Sequence, residues 1–419
     1  MNNINTLLVQ AQAAHDTADW SSLIHYLQQL LLTENVQHLK FDNDLDNILE
    51  WALSVLTLGD FQQRWEIAKV FNHLGKIAIA PLIDILENED ADEELRSFVT
   101  QILGDMKSPD VIAPLTEVLK TDNEEIKAMA ATALAKVGPV AIPALTDFLN
   151  NEDTCLLAVQ ALSYIRHKEI ITPLIRVAKD AEVAVRLAAI EALASFHDPR
   201  VPPVLLNALD DVSASVRREA VFGLSYRCDL CFELDLVTKL KPRLYDFNLD
   251  VCCAAVIALS RMNCDAAADP LFQALISPDT PVKLQQEIIR ALIWMETPSS
   301  LSYLHSALNE VQSVTLWQNI VTALGRANNQ NVTDKAAEIL LAFLQSKHPA
   351  IEITSIRSAI ALSLGQLGKV QALEPLMTML ADEDAQVKLH AMAALKNLAI
   401  NAPLTPELQQ AVMTLLAKY

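Results

Sequence analysis

The chain has 419 residues and a formal net charge of −20, from 32 Lys and Arg against 52 Asp and Glu. Such a surface repels phosphate, which disfavours nucleic acid and anionic lipid and favours basic patches on protein partners. Apolar residues make up 52% and aromatics only 5%, with 8 Gly, so Ala, Leu, Ile and Val do the packing, as close-stacked short helices require.

No apolar stretch is long enough to span a bilayer, so no membrane insertion is expected. Met1 to Gln10 lacks a basic region followed by a long apolar run. Six Cys in a chain this long do not make a secreted disulfide framework, and the expected compartment is the cytoplasm.

The first stretch predicts three helices, roughly Ile4 to Ala14, Trp20 to Leu32 and Leu45 to Leu58. Asp19 and Asp44 are the expected N-caps of the second and third. Leu23, Leu27, Leu30 and Leu31 form one apolar face at helical period. Residues 1–60 therefore read as an N-terminal helical cap, since the end of a stacked array would otherwise expose its core face. Trp51, Phe61, Arg64, Trp65 and Phe71 are interface-type residues that also suit sealing this cap onto the first full repeat.

From Leu95 onward one helical phrase recurs. Segments ending in Leu103, Leu134, Leu162, Leu193, Leu224, Leu259, Leu292, Leu324, Leu362 and Leu395 follow at gaps of 31, 28, 31, 31, 35, 33, 32, 38 and 33 residues. A period of this size means stacked units, each burying its apolar face on its neighbours. Pro173 to Phe196 shows the unit. A Pro-led first helix packs Leu174, Ile175 and Val177. An acidic turn, Asp180 to Glu182, leads to a second helix from about Val183 to Phe196 with Val185, Ala189, Ala192 and Leu193 inward. Asp198-Pro199 then breaks the chain.

Two register positions carry expectations. Four residues before the final Leu sit Val99, Ala130, Ala158, Ala189, Ala220, Ala255, Ile288, Ile320, Ser358 and Ala391, mostly small because neighbouring helices come close. Seven before it sit Arg96, Lys127, Cys155, Arg186, Arg217, Cys252, Gln285, Trp317, Ser355 and Lys388. Five of these ten are basic and follow acidic turns such as Asp90, Asp122, Asp180 and Asp210. A ladder of charge-assisted hydrogen bonds to carboxylates and turn carbonyls is expected to fasten unit to unit. The run Glu87 to Glu94 lacks the Gly and alternation of a calcium loop and reads as a solvated turn.

The sharpest chemical signal is cysteine. Cys228, Cys231, Cys252, Cys253 and Cys264 fall within 37 residues, and Cys228 to Cys231 has CxxC spacing. Thiolates so spaced can bind zinc or an iron–sulfur cluster, but a second CxxC is missing, and adjacent Cys252 and Cys253 diverge by about 100° on a helix. Free Cys is also a common small core residue. The nine His are scattered. His167 and His197 lie at equivalent repeat ends, where capping of helix carbonyls is expected. Trp294 and Trp317 are expected to pack between later repeats. No GxGxxG, P-loop or nucleophile elbow is present. Thr405-Pro406 is a good helix start, so 401–419 reads as a C-terminal capping helix behind a repeat region of 61–400.

The phrase PLxxxL, an acidic turn, V-R/K-xxAxxAL and a Gly or polar stop resembles HEAT repeats over about 75–400. The short form, with Asp90…Arg96 and Asp180…Arg186, looks most like the phycobilisome-lyase HEAT-like class. Segments such as APLIDILENEDADEELRSFVTQILGD, ALSYIRH, FHDPRVPPVLLNALDD and RLYDFNLDVCCAA resemble cyanobacterial HEAT-repeat proteins. The resemblance implies an all-α right-handed superhelical solenoid of helical hairpins, about ten or eleven repeats, with the concave surface formed by second helices. It implies a non-catalytic adaptor partnering an A-type iron–sulfur carrier. Cys228, Cys231, Cys252 or Cys253 would then contact a cluster shared with that partner. The alternative it implies is a phycobilin lyase or lyase subunit, binding bilin and a phycobiliprotein subunit.

Overall fold

The computed structural model describes residues 2–31, 42–88, 90–121, 123–401 and 405–416; Leu32, His38, Glu89 and Asp122 lie outside them. The described residues form helices and turns with no strand among them, and the chain is an all-α solenoid of helical hairpins. It divides into two compact units, Met1–Phe196 and His197–Tyr419.

In the first unit the hairpins pair Asn2–Asp16 with Trp20–Leu31, Asp42–Leu58 with Phe61–Leu74, and Ile79–Glu87 with Glu93–Asp105. Ile112–Val118 with Glu124–Val137, Ile142–Phe148 with Glu152–Tyr164, and Ile171–Val177 with Val183–Ala194 complete it. In the second unit they pair Val201–Ala208 with Ala214–Ser225, Leu236–Leu240 with Leu249–Met262, and Asp265–Ile276 with Val282–Met295. Pro298–Glu310 with Val314–Leu324, Gln330–Gln345 with Thr354–Leu367, and Leu373–Met379 with Ala385–Asn401 follow, and Pro406–Leu416 closes the unit.

Local sequence explains the hairpins. Several first helices open through a short 3-10 turn, as Pro109–Val111 and Pro139–Ala141 do; the missing proline N–H is unneeded there. Second helices start behind side-chain caps: Asp92 accepts from the Leu95 amide, Asn123 from Glu125 and Ile126, Asn248 from Asp250 and Val251. Asp60 and Gln63 form a reciprocal capping box that starts Phe61–Leu74. The expected cap Asp19 does accept, from the Ser22 amide at 3.2 Å. Asp44 does not cap, because its helix already begins at Asp42.

The core follows the register with one correction. Val99, Ala130, Ala158, Ala189, Ala220, Ala255, Ile288, Ile320 and Ala391 are all buried, as are the leucines four residues on. In the hairpin ending at Leu367, however, Leu362 is 41% exposed and Leu364 is fully buried. The register leucine is Leu364. Ile360 then takes the place given to Ser358, and Arg357 the place given to Ser355. Glycine confirms the shift: Gly104, Gly325 and Gly365 each directly follow a register leucine. A Cβ there would lie 2.7 Å from Lys136 Cβ, 2.5 Å from Ser363 Cβ and 2.6 Å from Ala394 Cβ, respectively. Successive second helices touch at this position.

The ladder exists, and its common function is narrower than expected. At several of its positions the side chain seven residues before the register leucine turns back and donates to a carbonyl at the end of its own first helix or in the turn. Arg96 Nη2 reaches Asn88 O at 2.8 Å, Arg186 Nη1 reaches Asp180 O at 2.9 Å, and Arg217 Nη1 reaches Asp211 O at 2.8 Å. Uncharged residues do the same: Cys252 Sγ to Asp246 O at 3.2 Å, Gln285 Nε2 to Leu275 O at 2.7 Å, and Trp317 Nε1 to Leu308 O at 3.1 Å. These carbonyls lie at a helix end or turn, where backbone amides are scarce, although Asn88 O also accepts the Ala91 amide at 3.2 Å.

Some rungs also cross to the next hairpin. Arg217 forks onto Asp246 at 2.8 and 2.6 Å, and Arg357 onto Asp382 at 2.8 and 3.2 Å. Arg64 bonds Leu56 O at 3.0 Å and reaches forward to Asp92 at 3.2 Å and Glu94 at 2.7 Å. Arg64 stands seven residues before the fully buried Phe71. The array register thus begins within Asp42–Leu74, and part of the acidic run Glu87 to Glu94 is a structural acceptor.

Candidate functional site: a groove on the second helices

Three successive second helices of the first unit, Glu124–Val137, Glu152–Tyr164 and Val183–Ala194, carry a groove of about 670 Å³. Ala128, Ala131, Ala161, Ala188 and Ala192 line it, so the neighbouring backbones leave room above them. Leu157 and Tyr164 supply apolar wall, and Gln160, Arg166 and Glu191 supply polar groups. Tyr164 is 77% exposed. Leu157, Gln160 and Tyr164 sit five and two before and two after the register Leu162, and Ala188, Glu191 and Ser195 do the same around Leu193. One solvent-facing helical stripe, repeated, therefore makes the groove.

The hydroxyls here are committed to the helices beneath them. Thr132 donates to Ala128 O at 2.8 Å, Ser163 to Gln160 O at 2.6 Å and Ser195 to Ala192 O at 2.8 Å. Among the lining residues, none is a His or Cys positioned to activate them. The arrangement suits contact: an exposed aromatic ring beside a small-residue floor, rimmed by one cation, one carboxylate and one amide. The sequence places the second helices on the concave surface but does not reveal this groove. Tyr164, an aromatic on the solvent stripe, was the available signal.

The cysteines are rearranged relative to expectation. Cys228 is exposed and directs its thiol to Ser225 O at 3.3 Å and Arg261 O at 3.2 Å. Cys231 is buried and shares a hydrogen bond with Cys264; burial first, then Cys264 and Cys228, push its thiol up to about 11. Cys252 faces the Asp246 carbonyl, whereas Cys253 has Glu287 and Lys283 of the next hairpin as charged neighbours. The CxxC pair thus joins Cys264, and Cys252 and Cys253 diverge as helical geometry requires. Burial also raises the thiols of Cys228, Cys252 and Cys253. Among the described residues, no three or more His, Cys, Asp or Glu side chains are grouped to hold a metal ion.

Other singled-out residues resolve as packing or capping. Trp51 and Phe71 are buried, and Phe61 meets Phe98 edge-on at 5.3 Å. Trp317 packs against His348 at 5.1 Å, but Trp294 is 63% exposed and does not pack between repeats. His167 does not cap a carbonyl; it accepts the Glu169 amide at the start of a 3-10 turn, as His348 accepts that of Ala350. No helix among the described residues is long and apolar enough to cross a membrane.

Residues 79–156, 150–225 and 312–396 match the family described as HEAT repeats, together more than half of the chain. No curated protein matches in sequence. Among solved structures, importin beta is similar at a TM-score of 0.54 and 16% identity, covering 89% of this chain and 58% of its own. Kap121p aligns at 0.56 and 15%, covering 100% and 52%, and Kap95p, solved with RanGDP, at 0.56 and 14%, covering 99% and 63%. The chain spans less than two thirds of these proteins. At such identities the likeness is one of fold.

Proposed function

The chain belongs to the HEAT-repeat family, and from that premise we propose a non-catalytic adaptor that holds another protein against the second-helix groove of its first unit. The observation that carries this reading is Tyr164, exposed beside the alanine floor, since a rigid aromatic at a groove with mixed polar and apolar lining is a favoured contact anchor. The net charge of −20 supports a partner with a basic face.

The partner class favoured by the sequence resemblance is an A-type iron–sulfur carrier or another cofactor-loading protein. Cys228, Cys231, Cys252 and Cys253 do not form a cluster cradle of their own. The cluster in this reading belongs to the partner, and Cys228, the exposed thiol, is the residue we assign to contact it. Anaerobic capture with the tagged protein from its own host, followed by mass spectrometry and iron analysis, tests this. Recovery of an iron–sulfur carrier, with iron lost in Cys228→Ser, supports it. Unchanged iron in Cys228→Ser removes the cysteine role.

A phycobilin lyase is the second reading. Arg166, at the groove, is the group that would meet a bilin carboxylate. It predicts a coloured protein on co-expression with a bilin pathway and phycobiliprotein subunits in the capture; a colourless protein without them rejects it.

A further inference from the structure

At some ladder positions a guanidinium bridges two hairpins. Arg64, Arg217 and Arg357 each bond a carbonyl of their own hairpin and a carboxylate in the turn of the next. One hairpin of the first unit lacks the guanidinium but keeps its surroundings. The ladder residue there is Cys155, and the following turn carries Asp180 and Glu182. Asp180 accepts the Glu182 amide at 2.9 Å. Asp246 accepts that of Asn248 and Asp382 that of Asp384, both also at 2.9 Å. The carboxylate is therefore held in the same turn as the two that receive arginine.

Where the side chain would lie there is instead a cavity of about 560 Å³, walled by Leu149, Asn150, Glu152, Asp180, Glu182 and Val185, with Cys155 lining it. Cys155 is 4% exposed. Among the described residues no acceptor meets its thiol, whereas Cys252 in the same register bonds the Asp246 carbonyl. Its thiol is pushed up by burial and then by Asp180 and Glu182, which marks the space as electronegative. Of the neighbouring cations, Arg176 bonds Thr146 O at 3.4 Å and Arg186 bonds the Asp180 and Ala181 carbonyls, both at 2.9 Å.

We propose that this cavity is a receptor for a guanidinium supplied in trans, an arginine side chain of a partner protein seated between the turn of the Cys155 hairpin and the carboxylates of Asp180 and Glu182. The occupant is inferred from the chain itself, which places arginine at this position in other repeats. A planar fork suits a carbonyl on one side and a carboxylate on the other better than an ammonium does. A metal ion fits less well, since no three ligating side chains are grouped there. The partner as source of the arginine rests on the adaptor reading. The site itself can be tested without a partner.

The probe is N-acetyl-arginine methylamide at millimolar concentration. Binding is read by NMR and by slowed N-ethylmaleimide labelling of Cys155, located by peptide mass. The uncharged citrulline derivative is the control. The arginine amide should bind and protect Cys155, with the citrulline amide and the Asp180→Asn variant each weaker by about tenfold or more. Cys155→Arg should fill its own rung, raise the melting temperature and abolish probe binding. Equal binding of arginine and citrulline amides, undiminished binding in Asp180→Asn, or no binding at all overturns the proposal. None of these outcomes bears on partner capture at the second-helix groove.

Discussion

Arg357 shows how much one side chain carries. It gives two hydrogen bonds to Asp382 and two to the carbonyls of Ile351 and Glu352. Arg357→Ala would leave a largely buried carboxylate and two carbonyls unpartnered, a loss of about 3 kcal/mol by urea unfolding. Arg357→Lys should recover only part, because an ammonium cannot fork. The pH dependence has a definite sign. Arg357 is the main cause that holds Asp382 below the ordinary carboxylate range. Its stabilisation is therefore complete above about pH 4 and is lost as pH falls through the depressed folded value. Asp246 behaves alike: burial raises it, but the Arg217 bonds and the Asn248 amide outweigh burial. The stability gap between wild type and Arg357→Ala should shrink below about pH 4; a gap constant from neutral to acid pH contradicts this account.

At the scale of the helix, close approach is the governing constraint. Gly365 lies where a Cβ would sit 2.6 Å from Ala394 Cβ and 2.7 Å from Ala394 Cα, and backbone must shift to relieve it. Gly365→Ala should cost about 1–3 kcal/mol in urea unfolding, and adding Ala394→Gly should restore part of it. An unchanged midpoint in Gly365→Ala would show that the helices are not in contact there. This element also shows what was legible. The period, the hairpins and the ladder position could be read from residue type and spacing, because burial repeats with the helix. The slip in register, Leu362 for Leu364, came from two leucines two apart, which a helix places on nearly opposite sides. Arg seven before and Gly one after Leu364 were the discriminating signals. The groove was not legible because it depends on the spacing of three helices. The grouping of Cys264 with Cys231 was not legible either, since it depends on how the irregular segment between Ser225 and Leu249 turns.

Across the whole chain, repetition separates what holds the structure from what is left to bind. The inward positions and the ladder recur with few exceptions, so departures from them stand out. Cys155 without an arginine and Tyr164 without a cover are two such departures, both in the first unit. The central claim is that a partner protein sits on the second-helix groove. The most direct measurement compares the affinity of the captured partner for wild type and for Ala188→Arg, which fills the groove, with Tyr164→Ala as a second variant and circular dichroism confirming unchanged helicity. The account predicts affinity lower by about tenfold or more in Ala188→Arg and a smaller loss in Tyr164→Ala. Undiminished affinity in both folded variants would contradict it.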